Sequence, residues 1–173
     1  MEIIADLVKI VLPAGIVLYG MYLVIKSFLR KDFDKKLLEL KSQDRNVTLQ
    51  MRLQAYERMT LFLERVSPNN LLPRLNNQEY TVDMFQQILI MEIRNEFAHN
   101  ATQQIYLSDE TWNVIQSAVE RLISLISESA SQIDKTVPSI ELARKMVENI
   151  LAIQDDITSS ALLVLKKEAR TLL

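Results

Sequence analysis

Glycine occurs only twice in the 173 residues, and both copies, Gly15 and Gly20, stand near the N-terminus. Beyond them the chain has no residue that enters left-handed backbone freely. It therefore has no place for a phosphate-cradling loop, a dinucleotide-binding turn or a nucleophile elbow. No hairpin dipeptide occurs, and no segment alternates convincingly at period two. Helices remain. Zero Cys removes disulfides, zinc knuckles, thiol nucleophiles and iron–sulfur ligation. A single His removes every site that needs two imidazoles from one chain. The sequence thus predicts no cofactor and no metal. A balance of 20 Lys+Arg against 22 Asp+Glu argues against a chain built mainly to coat nucleic acid.

Residues 10–25 (IVLPAGIVLYGMYLVI) carry no charge. As a helix they rise only about 24 Å, short of a hydrocarbon core of roughly 30 Å. Ile3, Ile4, Leu7 and Val8 extend the run on one side, and Phe28 and Leu29 on the other. Lys9 and Lys26 can snorkel, so the pattern predicts a single transmembrane anchor over residues 1–29. Lys26, Arg30, Lys31, Lys35 and Lys36 crowd the C-terminal flank, against Lys9 on the other. The positive-inside rule then puts the N-terminus outside and the rest in the cytoplasm of a bacterial inner membrane. Residues 30–46 form a basic juxtamembrane helix or linker whose cations suit anionic headgroups. From Ser42 onward the balance reverses, with 13 Lys+Arg against 17 Asp+Glu, net −4.

Residues 47–173 read as an all-α, antiparallel bundle of about five helices. Leu49, Leu53, Tyr56, Met59 or Thr60, and Leu63 recur at three and four residues. Residues 67–70 (SPNN) end that helix, and 71–80 read as a connector. Thr81 is the expected N-cap of a helix ending near Asn100, with an apolar face through Met84, Ile88, Met91 or Ile93, and Phe97. Residues 101–107 are a loop or a frayed last turn. Ser108 starts a helix running to about Gln132 through Trp112, Ile115, Val119, Leu122 and Ile126. Pro138 is placed in the first turn of a helix over residues 139–153. Asp155-Asp156 caps the last helix, a reading preferred to a metal pair.

One motif carries chemical content. Arg94, Asn95 and His99 resemble the R-x4–6-H signature of HEPN domains, small helical bundles among which metal-independent ribonucleases act as dimers. The resemblance implies Arg94 on a scissile phosphate, His99 in proton transfer and Asn95 shaping the site, with RNA as the partner. A proton shuttle and a cation are what such cleavage needs. Against it, five helical residues subtend about 140°, so Arg94 and His99 share a face only if the helix ends between them. His99 also suits a helix C-terminus, where it satisfies carbonyls and the dipole. Glu92 and Glu96 read as a solvated acidic face.

Several strings in order along the chain, among them Tyr56-Glu57-Arg58, Gln103-Gln104-Ile105-Tyr106 and Leu165-Lys166-Lys167-Glu168-Ala169-Arg170, resemble a family of membrane-anchored Bacteroidota proteins described only as a domain of unknown function. That resemblance implies an anchor and a cytoplasmic helical domain, and no activity. Tyr56, Arg58, Gln104, Tyr106 and Trp112 are candidates for a partner surface, with helix packing the competing reading. The function expected is a membrane-tethered helical interaction or scaffold module. It would be a homo-oligomer or an accessory part of a membrane complex rather than an enzyme. The alternative is a dimeric HEPN-like ribonuclease at the membrane.

Overall fold

The computed structural model describes residues 2–153 and 156–172, with side chains for 15–39, 47–152 and 156–172. Its elements are helices α1 (Glu2–Val66), α2 (Pro68–Leu75), α3 (Val82–Asn100), α4 (Asp109–Ser131), α5 (Ile140–Ile153) and α6 (Ile157–Arg170). A 3-10 helix, Ala101–Tyr106, joins α3 to the α4 cap. Among the described residues the one trace of β-structure is an isolated antiparallel bridge, Thr81 to Pro138. By contacts the chain divides into Met1–Thr48 and Leu49–Leu173.

In the N-terminal unit every described side chain from 15 to 39 is exposed, apolar and charged alike. Val17, Leu18, Val24 and Phe28 are each 67–68% exposed. Among the described residues no helix is long and apolar enough to cross a membrane. The expected anchor begins in 1–14, whose side chains lie outside the described residues. The described part of its charge-free run, 15–25, rises only about 16 Å, roughly half a hydrocarbon core. Lys26, Arg30 and Lys31 follow at once. The described residues therefore do not supply a transmembrane helix by themselves.

In the C-terminal unit, α4 packs against α3, α5 and α6. The end of α1 contributes Ala55, Tyr56, Met59, Phe62, Leu63 and Val66 to the core. Two faces differ from expectation. α3 buries Val82, Phe85, Leu89 and Ile93, while Met84 and Met91 are 55% and 58% exposed. The stripe through Phe85, Leu89 and Ile93 takes the core, and the methionines on the stripe beside it point to water. The expected connector at 71–80 begins inside α2, which buries Leu71 and Leu72. Pro68 opens α2 because a first helical residue needs no N–H donor. Pro138 is not in a helix: the N–H of Val82 bonds Val137 O (3.0 Å) and that of Ser139 bonds Tyr80 O (2.9 Å), and α5 begins at Ile140.

The caps agree with the sequence. Thr81 Oγ1 accepts from Met84 N at 3.4 Å, and Ser108 Oγ from Thr111 N at 3.2 Å. Asp156 accepts from Ser159 N (3.1 Å), Ser159 Oγ (2.6 Å) and Thr158 Oγ1 (3.0 Å). The Ser159 hydroxyl is the main reason its carboxyl is held below the ordinary carboxylate range. Asp155 lies outside the described residues. Asp156→Ala is expected to cost about 1 kcal/mol, lowering the melting temperature by about 3–5 °C in a thermal scan. An unchanged melting temperature would mean that this cap contributes nothing.

Candidate binding cleft beside the 3-10 helix

The two strings that stand out in the sequence, 56–58 and 103–106, meet in the C-terminal unit. α3 cannot close with a glycine cap, because no glycine follows Gly20. Instead Asn100, buried, turns its side-chain amide back onto Glu96 O at 2.8 Å, and the backbone tightens into the 3-10 helix. That brings Thr102, Gln103, Ile105 and Tyr106 opposite Met51, Gln54 and Arg58 of α1. The cleft between them holds about 320 Å³. Ile105 on its rim is 73% exposed, and the Tyr106 hydroxyl lies 3.9 Å from Met51 Sδ.

Behind the cleft a polar network fixes α1, the 3-10 helix, the α4 cap and α6 together. Tyr56 Oη donates to Glu168 Oε1 at 2.8 Å. Ser108 donates its backbone N–H to Oε1 (2.9 Å) and its hydroxyl to Oε2 (2.8 Å). Arg52 bonds Tyr106 O through Nε (3.3 Å) and Tyr56 Oη through Nη2 (3.2 Å), and lies 3.8 Å from Glu168 Oε1. Burial acts to raise the Glu168 carboxyl, yet hydrogen bonds from Thr111, Ser108 and Tyr56 outweigh it and hold the group below its ordinary value. Burial, then the Glu168 carboxylate, pushes the Tyr56 phenol up, against the opposing Arg52. Each of these side chains is thereby committed to structure. What the cleft offers outward is amide, hydroxyl and guanidinium hydrogen bonding with an apolar rim. That chemistry suits binding.

The expected partner residues separate accordingly. Arg58 and Tyr106 line the cleft, and Gln104 is exposed on the same 3-10 helix. Tyr56 is only 4% exposed and belongs to the core, so it presents no surface. Trp112 is half-buried, its ring 5.3 Å from Phe97 and nearly parallel to it. Arg94, Asn95 and His99 are all exposed. Because α3 runs unbroken to Asn100, Arg94 and His99 stand about 140° apart and one chain does not bring them onto one face. Glu92 and Glu96 are not a free acidic face. Arg65 Nε is 2.5 Å from Glu96, and Glu92 lies 2.7 Å from Arg74 and 3.8 Å from Arg65, tying α1, α2 and α3.

In the N-terminal unit Lys26, Arg30, Lys31, Lys35 and Lys36 are exposed. Lys26 Nζ sits 5.6 Å above the Tyr22 ring, and Lys35 is 4.0 Å from Glu39. Among the described residues no group of three or more His, Asp or Glu could hold a metal ion. Sequence reasoning missed a second, mainly apolar groove of about 650 Å³ between α2 and α5, lined by Leu72, Pro73, Ile140 and Val147 among others. Reading 71–80 as a connector concealed one of its walls.

A model described as a family of unknown function (DUF7935) matches residues 2–172, nearly the whole length. No curated protein and no solved structure matches the chain.

Proposed function

We propose that this chain, which belongs to the family of unknown function DUF7935, is a bacterial inner-membrane interaction module. The N-terminal part of α1 tethers it, and the C-terminal helical unit, on the cytoplasmic side, docks protein. The carrying observation is the uncovered apolar surface of residues 16–29. Eleven large hydrophobics there, from Ile16 to Leu29, are 46–68% exposed. An isolated helix of that composition does not persist in water by propensity alone, so something apolar must cover it. Lipid is the covering that suits a helix apolar all round, with its cations crowded on the C-terminal flank. Holding a binding unit at a membrane raises its effective concentration toward other membrane-bound partners, so modest contacts suffice.

Full-length protein mixed with liposomes is expected to float in a density gradient and to stay bound through a carbonate wash. Leu18→Lys with Val24→Lys places charge mid-run, at about 2.5–3.5 kcal/mol each. That pair should abolish flotation while leaving the helical circular-dichroism signal intact. A wild-type chain that remains at the bottom of the gradient would refute the tether.

A further inference from the structure

Along the last turns of α1, Met51, Gln54, Arg58 and Leu61 recur at intervals of three, four and three residues. That is the seam of a heptad repeat. All four are exposed, Met51 at 47% and Leu61 at 62%. In heptad terms Met51 and Arg58 are a positions, and Gln54 and Leu61 are d positions. On one flank, the e positions Ala55 and Phe62 are buried in the unit's own core. On the other, the g positions Glu57 and Glu64 are exposed. The seam is therefore open along its g side. The same spacing runs upstream in sequence through Phe33, Leu37, Leu40, Asp44 and Val47, so the pattern spans four heptads. Six of these nine positions are apolar, and the g positions Lys36, Glu57 and Glu64 carry charge, a pattern that suits pairing with another helix of the same period.

We propose that the partner is a second copy of this chain, lying parallel and in register along α1. In that arrangement Met51, Gln54 and Leu61 each meet their own counterpart, and each Arg58 reaches Glu57 of the partner subunit, an a-to-g pair of opposite charge. Neither Arg58 nor Glu57 has an ion pair among the described residues. An antiparallel pair in the register matching Met51 with Leu61 would instead set the two Glu57 carboxylates against each other. Gln54 in the seam fixes register, the role a polar core position plays in coiled coils. This deepens the interaction-module reading by naming its partner, and the parallel sense also fits two tethers entering one membrane face. Ile105, beside Met51 and Arg58 in the cleft, flanks the seam.

The absence of Cys allows a direct test on the full-length protein in mild detergent. Its particle mass should be that of a dimer. Gln54→Cys and Leu61→Cys should each link to itself under mild oxidation roughly tenfold faster than the exposed control Glu110→Cys, because pairing raises the local thiol concentration. Arg58→Glu or Glu57→Arg alone should weaken the dimer roughly tenfold, and the two together should restore it. A dimer whose seam cysteines link no faster than the control overturns the proposal. So does a monomer carrying a stoichiometric foreign protein, although that outcome keeps the interaction module. A monomer with no partner removes both readings. Circular dichroism of each variant separates lost pairing from lost folding.

Discussion

Alanine at position 62 is expected to remove about 3–5 kcal/mol from the stability of the C-terminal unit. Phe62 is 1% exposed, and its ring lies 5.9 Å from Phe97, which in turn stacks on Trp112. The three rings belong to α1, α3 and α4, so truncating the first leaves a cavity where three helices meet. Packed rings add about 0.5–1.5 kcal/mol each beyond their buried area, and that term is lost as well. Against a typical total of about 5–15 kcal/mol, the variant would be only marginally folded at 37 °C. Trp112 is the only tryptophan in the chain, so its fluorescence follows this cluster directly during urea unfolding. Coincidence with the far-ultraviolet signal would establish a single cooperative transition. The matched control is Leu163→Ala, since Leu163 is 71% exposed and should shift the midpoint by no more than about 0.5 kcal/mol. A loss below about 1 kcal/mol at Phe62 would mean that the cluster is not packed as described.

That cluster illustrates where the sequence was informative. Helix starts are local chemistry, and a hydroxyl or carboxylate aimed at the next turn is visible as Thr81, Ser108 and Asp156. Each caps as its residue type requires. Face assignment is less local. In α3 two apolar stripes, one through Met84 and Met91 and one through Phe85, Leu89 and Ile93, lie side by side, and only the neighbouring helices decide which is buried. Pro138 shows the same limit. Proline with a following helical pattern suits a first turn, but its neighbours Val137 and Ser139 bond to the α3 entrance, 55 and 59 residues earlier in the chain. Tyr56 and Arg58, two residues apart, share one string that suits a partner surface or helix packing, and helical geometry sends the first inward and the second outward. The pairing of Tyr56 with Glu168 spans 112 residues and has no local signal at all.

Glu168→Gln should cost about 1.5–3 kcal/mol at pH 7, the range for hydrogen bonds made to a charged group. The change keeps the side chain's shape, and one amide oxygen can still accept from Tyr56 or Ser108. Lost are the charge that strengthens those bonds and the attraction to Arg52. A carboxyl held below its ordinary 4.5 in the folded state contributes stability that is complete above that value and disappears as pH falls through the folded one. The gap between wild type and Glu168→Gln should therefore be full at pH 7 and shrink steadily below about pH 4.5. A gap of constant size from pH 7 to pH 3 would mean that the carboxylate's charge is not its source. The phenol supplies the opposite limb: raised above its ordinary 10.0, Tyr56 stabilises the fold below that pH, and this contribution is lost as pH rises through its folded value. Tyr56→Phe should flatten the alkaline limb and leave a Glu168 whose acid limb is smaller and ends nearer its ordinary value, because one of the bonds lowering it is gone. Two single substitutions would then move opposite ends of one stability profile, a coupling expected only if the hydroxyl and the carboxylate share one proton-ordered network between α1 and α6.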